Sequence, residues 1–196
     1  DGVAVGDDCM TCSVGFRAPS RSELLTHFVD DLVAEMEDDD RYADPELATQ
    51  ENPGEISSAA LDKLHRLAIE KLQDRSYFAR WFGGYSSTRK YPEIDWSPED
   101  LLSEADTAAQ LKAGVSVSRN PASRFSFLRQ DDATILLFVD GTSFHCEDSC
   151  ATFAENLCRA DTTDLPAQEV PNEPLQQLIT ALINQGSIAL DGREQS

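Results

Sequence analysis

Apolar residues fall into helical spacing soon after the start of the chain. Leu24, Phe28, Leu32 and Met36 recur every four residues, flanked by Leu25, Val29 and Val33. Ser20 and Glu23 ahead of them form a Ser-x-x-Glu capping box, so a helix starts there. Its stripe is wider than a single neighbour needs. The helix is expected to end in Glu37-Asp38-Asp39-Asp40, whose like charges oppose the negative end of the dipole. A connector with Pro45, Pro53 and Gly54 leads to a second amphipathic helix from Ser58, carrying Leu61, Leu64, Leu67, Ala68 and Leu72. His65 sits beside that stripe, at its edge or in solvent. Residues 77–82 read as a short aromatic helix closed by Gly83-Gly84, where a C-cap glycine is expected. Upstream, the β-prone run at 9–17 reads as one strand that stops before Pro19.

The pattern changes after Ser86-Ser87-Thr88-Arg89-Lys90-Tyr91-Pro92. Ser97, Pro98 and Asp100 occupy N-cap, N1 and N3 of a predicted helix that runs to about Lys112 and stops at Gly114. Residues 115–118 and 124–129 read as strands, and Thr-Ile-Leu-Leu-Phe-Val at 134–139 as a stronger one. Asp140-Gly141 is a hairpin turn signal. Residues 148–159 and 174–184 read as helices, the second followed by Gly186 and a last strand near 187–190. The expected fold class is α+β and mostly helical. Helix, strands, two helices and a strand form the element content of a winged-helix-like domain.

Charge narrows the partners. The 196 residues carry 36 acidic and 16 basic side chains, a net charge of −20. Residues 91–196 alone hold 6 Lys/Arg against 18 Asp/Glu. Neither nucleic acid nor an anionic membrane suits such a chain, because phosphate is neutralised by Lys and Arg. The predicted helix at 148–159 has one Arg against Asp148 and Glu155, which is a poor recognition helix. No apolar run approaches the ~20 residues of a membrane helix. The first residues lack a signal-peptide pattern and an initiator Met, so the chain reads as entered in the middle. Five cysteines (Cys9, Cys12, Cys146, Cys150 and Cys158) are an odd number and read as reduced, buried thiols of a cytoplasmic protein. A zinc set drawn from Cys9, Cys12, His145, Cys146 and Cys150 matches no strong ligand spacing. There is no Gly-rich phosphate loop, no Gly-x-Ser-x-Gly, and no nucleophile with a sequence-evident His partner.

One segment is specific. Ser13-Val14-Gly15-Phe16-Arg17-Ala18-Pro19-Ser20, with Glu23-Leu24, resembles the end of the JmjC barrel in bacterial ribosomal oxygenases. The likeness continues through Trp81-Phe82-Gly83, Ala154-Glu155-Asn156 and Leu182-Ile183-Asn184-Gln185-Gly186. Such proteins are Fe(II)- and 2-oxoglutarate-dependent hydroxylases of a ribosomal protein. They are built as a JmjC (cupin) barrel, a helical dimerisation domain and a winged-helix-like domain. The resemblance implies a last barrel strand over 1–19, a helical dimerisation domain over 20–90 and an acidic winged-helix-like domain over 91–196.

It also implies what each part would do. The family's His-x-Asp pair and later His would lie upstream, and none of His27, His65 and His145 is followed two residues on by Asp. This chain would hold no cofactor of its own, with Fe(II) and 2-oxoglutarate bound by the parent protein. Thr11 and Ser13 would fall on the strand lining the cosubstrate pocket, where a hydroxyl could donate to a 2-oxoglutarate carboxylate. Arg17 would anchor barrel to helix. Leu24, Phe28, Leu32, Leu61 and Leu64 would line a homodimer interface. The substrate would be a basic ribosomal protein, modified on arginine in the bacterial kind. The alternative is an independent acidic winged-helix regulator or protein-interaction adaptor.

Overall fold

A computed structural model describes residues 18–36, 41–43, 51–112, 114–165 and 172–192. The strand expected at 9–17, the acidic run at 37–40, Thr11, Ser13, Arg17, Cys9 and Cys12 lie outside the described residues. The chain divides into two compact units, Asp1–Gln73 and Asp74–Ser196.

Among its described residues the first unit contains two α-helices. α1 (Arg21–Ala34) opens with the expected reciprocal box: the Glu23 N–H donates to Ser20 Oγ and the Ser20 N–H to Glu23 Oε2. α2 (Ser58–Glu70) is capped by Ser57, whose hydroxyl accepts from the Ala60 N–H, and passes into a 3₁₀ turn at Lys71–Gln73. No residue of α2 is buried.

The second unit contains α3 (Arg75–Ser87), α4 (Glu104–Leu111), β1 (Val115–Arg119), β2 (Phe125–Arg129), β3 (Thr134–Val139), β4 (Thr142–Glu147), α5 (Asp148–Arg159), β5 (Thr162–Leu165), α6 (Glu173–Asn184) and β6 (Ile188–Gly192). Two antiparallel three-stranded sheets form, ordered β5-β1-β6 and β2-β3-β4. The fold is α+β. Its core gathers Val115 and Val117 of β1, Ile135, Leu137 and Val139 of β3, Phe153 and Leu157 of α5, and Leu178, Ile179 and Leu182 of α6. β3 is an uninterrupted apolar run because both its faces are covered. Ile135, Leu137 and Val139 face that core, and Leu136 and Phe138 are buried on the other face.

Two expectations are corrected. Gly83-Gly84 does not end the aromatic helix: α3 runs through both glycines to Ser87. Gly83 is there for close approach, since a Cβ on it would lie 2.2 Å from Cζ of Phe138. That packing against the β2-β3-β4 sheet puts α3 in the second unit, which begins at Asp74. Ser97-Pro98 does not start a helix either. α4 begins at Glu104, where Ser103 and Asp106 cap one another, and the Asn184 side chain holds both the N–H and the carbonyl of Leu102. Two strands went unread, β4 and β5, because Thr-Ser-Phe-His-Cys-Glu and Thr-Thr-Asp-Leu are polar edge strands with few buried residues. Asp140-Gly141 does form the β3–β4 turn, with φ of 54° and 90°.

Candidate functional site

In the first unit the anticipated interface residues differ in exposure. Phe28 (3% exposed) and Leu32 (5%) are already covered, Leu24 is half-buried, and Leu61 (58%) and Leu64 (43%) are open to solvent. Leu25, Val29, Val33, Met36 and Leu67 are exposed as well. The unit therefore presents exposed leucines on both helices and exposed valines on α1. Beside α2 lies a cleft of about 610 Å³, lined by Tyr42, Lys63, Arg66, Leu67 and Glu70 among others. Lys63 closes one wall: Nζ donates to the Ala43 carbonyl at 2.9 Å and sits 5.4 Å from the Tyr42 ring centroid.

In the second unit a buried polar node stands where sequence reasoning marked only a turn. Arg89 Nη2 lies 2.7 Å from Asp140 Oδ2, with the two side chains 11% and 3% exposed. The same nitrogen approaches Ser123 Oγ at 3.1 Å, and the Gln185 carbonyl and Ser187 Oγ at 3.2 Å. Ser187 donates to Asp140 Oδ2, and the Arg124 N–H to Asp140 Oδ1. Gln185 Nε2 donates to the Val139 carbonyl. The node ties the segment after α3 to the β3–β4 turn and to the end of α6. Three consecutive residues of the Asn184-Gln185-Gly186 run make such ties. Asn184 clamps Leu102, Gln185 serves the node, and a Cβ on Gly186 (φ 71°) would lie 1.9 Å from the Trp96 carbonyl. A lone Arg in a polar segment gave no sequence signal; its partner Asp140 was visible only as a turn residue.

The three described cysteines are free thiols. Cys146 and Cys150 are buried and Cys158 is half-buried. The Cys150 side chain, hydrogen-bonded to Cys146, and burial both push the Cys146 thiol far above its usual range. Burial pushes Cys158 up to about 11. Strand alternation turns His145 away from Cys146: His145 is exposed, 3.1 Å from Glu147, while Cys146 faces the core. Among the described residues no group of three or more His, Cys, Asp or Glu could hold a metal ion. No described helix is long and apolar enough to cross a membrane. Nothing among the described residues fits an iron site, and no reaction step is assigned to them.

Known proteins supply the context. The Escherichia coli ribosomal protein uL16 3-hydroxylase is 30% identical over 94 residues, which are 48% of this chain and 25% of that protein. YcfD, a ribosomal oxygenase from Escherichia coli, superposes with a TM-score of 0.69 at 24% identity when bound to cobalt and succinic acid. That match covers 91% of this chain and 48% of YcfD. Its complex with cobalt and 2-oxoglutarate gives a TM-score of 0.70 over the same shares. The chain thus spans at most about half the length of these relatives. A model of the ROXA-like winged helix matches residues 70–189, a segment that holds the whole second unit except its last few residues. That match covers more than half of the sequence, and the chain belongs to the ROXA-like winged-helix family, corresponding to the C-terminal part of a ribosomal oxygenase.

Proposed function

We propose that this chain is the dimerisation and winged-helix portion of an Fe(II)- and 2-oxoglutarate-dependent hydroxylase that modifies an arginine of a large-subunit ribosomal protein. The observation that carries the reading is the family match over 70–189. The name of the uL16 hydroxylase and the 2-oxoglutarate bound to YcfD support the substrate class and the cosubstrate. Iron and 2-oxoglutarate, when bound by the parent, supply the oxidising chemistry. Thr11 and Ser13 would contribute at most a hydroxyl to the cosubstrate carboxylate. The described part would act as scaffold, in a cytoplasmic homodimer built on the exposed leucines of α1 and α2, and the chain alone would neither turn over 2-oxoglutarate nor bind stoichiometric iron. Its acidic surface would favour the approach of a basic ribosomal protein over nucleic acid.

The test is made in the source organism. Deleting the gene that encodes this chain should remove one oxygen atom from one arginine-containing peptide of a large-subunit ribosomal protein, read by mass spectrometry. Reintroducing the gene should restore it. Unchanged ribosomal peptides after deletion overturn the reading. The regulator alternative would be revived instead by sub-micromolar binding of duplex DNA at physiological salt.

A further inference from the structure

Arg89, Arg119 and Arg129 pair with carboxylates, and the other described arginines do not. Two of them line one cleft of the second unit. Arg75 and Arg80 of α3 border a space of about 400 Å³ closed on the other side by Leu128, Arg129 and Gln130 of β2 and its turn. Neither guanidinium has an ion-pair or hydrogen-bond partner among the described residues, and both side chains are exposed. No carboxylate lines the cleft. Asp74 next door already accepts the Ser76 and Tyr77 N–H groups, and Arg129 is taken by Glu155 at 2.6 Å on the opposite face of the strand.

The floor of the cleft is a strand edge. β2 is the outer strand of its sheet, paired with β3 in an unbroken register from Phe125–Val139 to Arg129–Ile135. Gln130 donates to Thr134 and Asp140 to Arg124, so the even-numbered residues of β2 turn their backbone groups toward β3. Phe127 and its odd-numbered neighbours therefore turn theirs outward. The edge has no Pro, no Lys and no bulge against an added strand, and its one charged side chain, Arg129, is paired with Glu155. Instead Phe127 and Leu128, each 39% exposed, offer an apolar contact on either face.

We propose that this edge, with Arg75 and Arg80 above it, is a docking site for an extended acidic peptide segment of a partner protein that adds as a fourth strand beyond β2. Main-chain bonds to Phe127 would hold the segment, and carboxylates at alternate positions would share the face that meets the two arginines. A nucleic acid fits less well. It cannot use the strand's outward N–H and C=O groups in register, and two free arginines neutralise few phosphates. The inference is independent of the hydroxylase reading, because it uses only the strand edge and the charges beside it and assigns no activity.

The test uses the 196-residue chain and a fluorescein-labelled octapeptide, Thr-Glu-Val-Glu-Val-Glu-Val-Thr, followed by anisotropy. Saturable binding is expected, with none for the same peptide carrying Lys in place of Glu. Arg75→Glu and Arg80→Glu should each weaken it about tenfold, because an attractive charge pair becomes a repulsive one. A version N-methylated at alternate amides should fail to bind, since it cannot extend the sheet. The proposal is overturned by no binding of the acidic peptide, by binding that survives both charge reversals or the N-methylation, or by an oligouridylate that binds more tightly.

Discussion

The two units use similar helices to opposite ends. α2 carries leucines at 61, 64 and 67 on a regular stripe, yet none of its residues is buried. α6 carries a comparable stripe, and Leu175, Leu178, Ile179, Leu182 and Ile183 are all buried. The difference is the company each keeps. α6 packs among α4, α5 and β6 and shares a core with β3, whereas α2 contacts chiefly the short turn that follows it. An amphipathic stripe states that a face will be covered; it does not state by what. In the second unit the cover is within the chain, whereas in the first Leu61, Leu64 and Leu67 stay exposed.

The sharpest way to break this contrast is at the buried node. Arg89→Met leaves Asp140, 3% exposed, without its cation, and a broken buried pair costs about 3–5 kcal/mol. Urea unfolding followed by circular dichroism should show the loss, with part of it recovered on adding Asp140→Asn. A loss below about 1 kcal/mol, the size of an ordinary surface change, would show that the node does not organise the unit. Gly83→Ala should come next. It forces the Phe138 ring away from α3 and, as overpacking, costs about 1–3 kcal/mol in the same measurement.

The first unit should answer differently. Leu61→Asp with Leu64→Asp leaves each protomer's own core untouched, so the loss of unfolding stability should be confined to a part that depends on protein concentration. In sedimentation the same pair should convert a dimer to a monomer. Unmodified chain that sediments as a monomer at micromolar concentration removes the dimer from the proposed function.

The smallest effect concerns the start of α4. Hydrogen bonds from the Ser103 hydroxyl and N–H hold the Asp106 carboxyl below the usual carboxylate range. A depressed acid stabilises the fold above its ordinary pKa and loses that contribution as pH falls through the depressed value. Ser103→Ala should therefore lower stability near neutral pH. The gap from the unmodified chain should narrow in acid titrations, and a gap that is constant with pH would deny the cap its ionic part.

Sequence alone determined what depends on near neighbours. The Ser20–Glu23 box, the Asp140-Gly141 turn, β3 as an apolar run and the α5 and α6 stripes each involve residues a few positions apart, so local spacing encodes them. The family segments were legible for the same reason, being short runs of fixed order. What tertiary structure decided involves partners far apart in the chain. Gly83 reads as a helix stop until Phe138 arrives over it, 55 positions later in the sequence. Ser97-Pro98-Glu99-Asp100 is a sound helix start that loses to Ser103–Asp106, because Asn184 holds Leu102 outside the helix. Arg89 gains its meaning only when Asp140, Gln185 and Ser187 converge on it, and β4 and β5 become strands only beside β3 and β1. Helix caps and turns are settled by bonds between neighbours in the chain. Strand edges, close-packed glycines and buried ion pairs are settled by groups that meet only after the chain has folded.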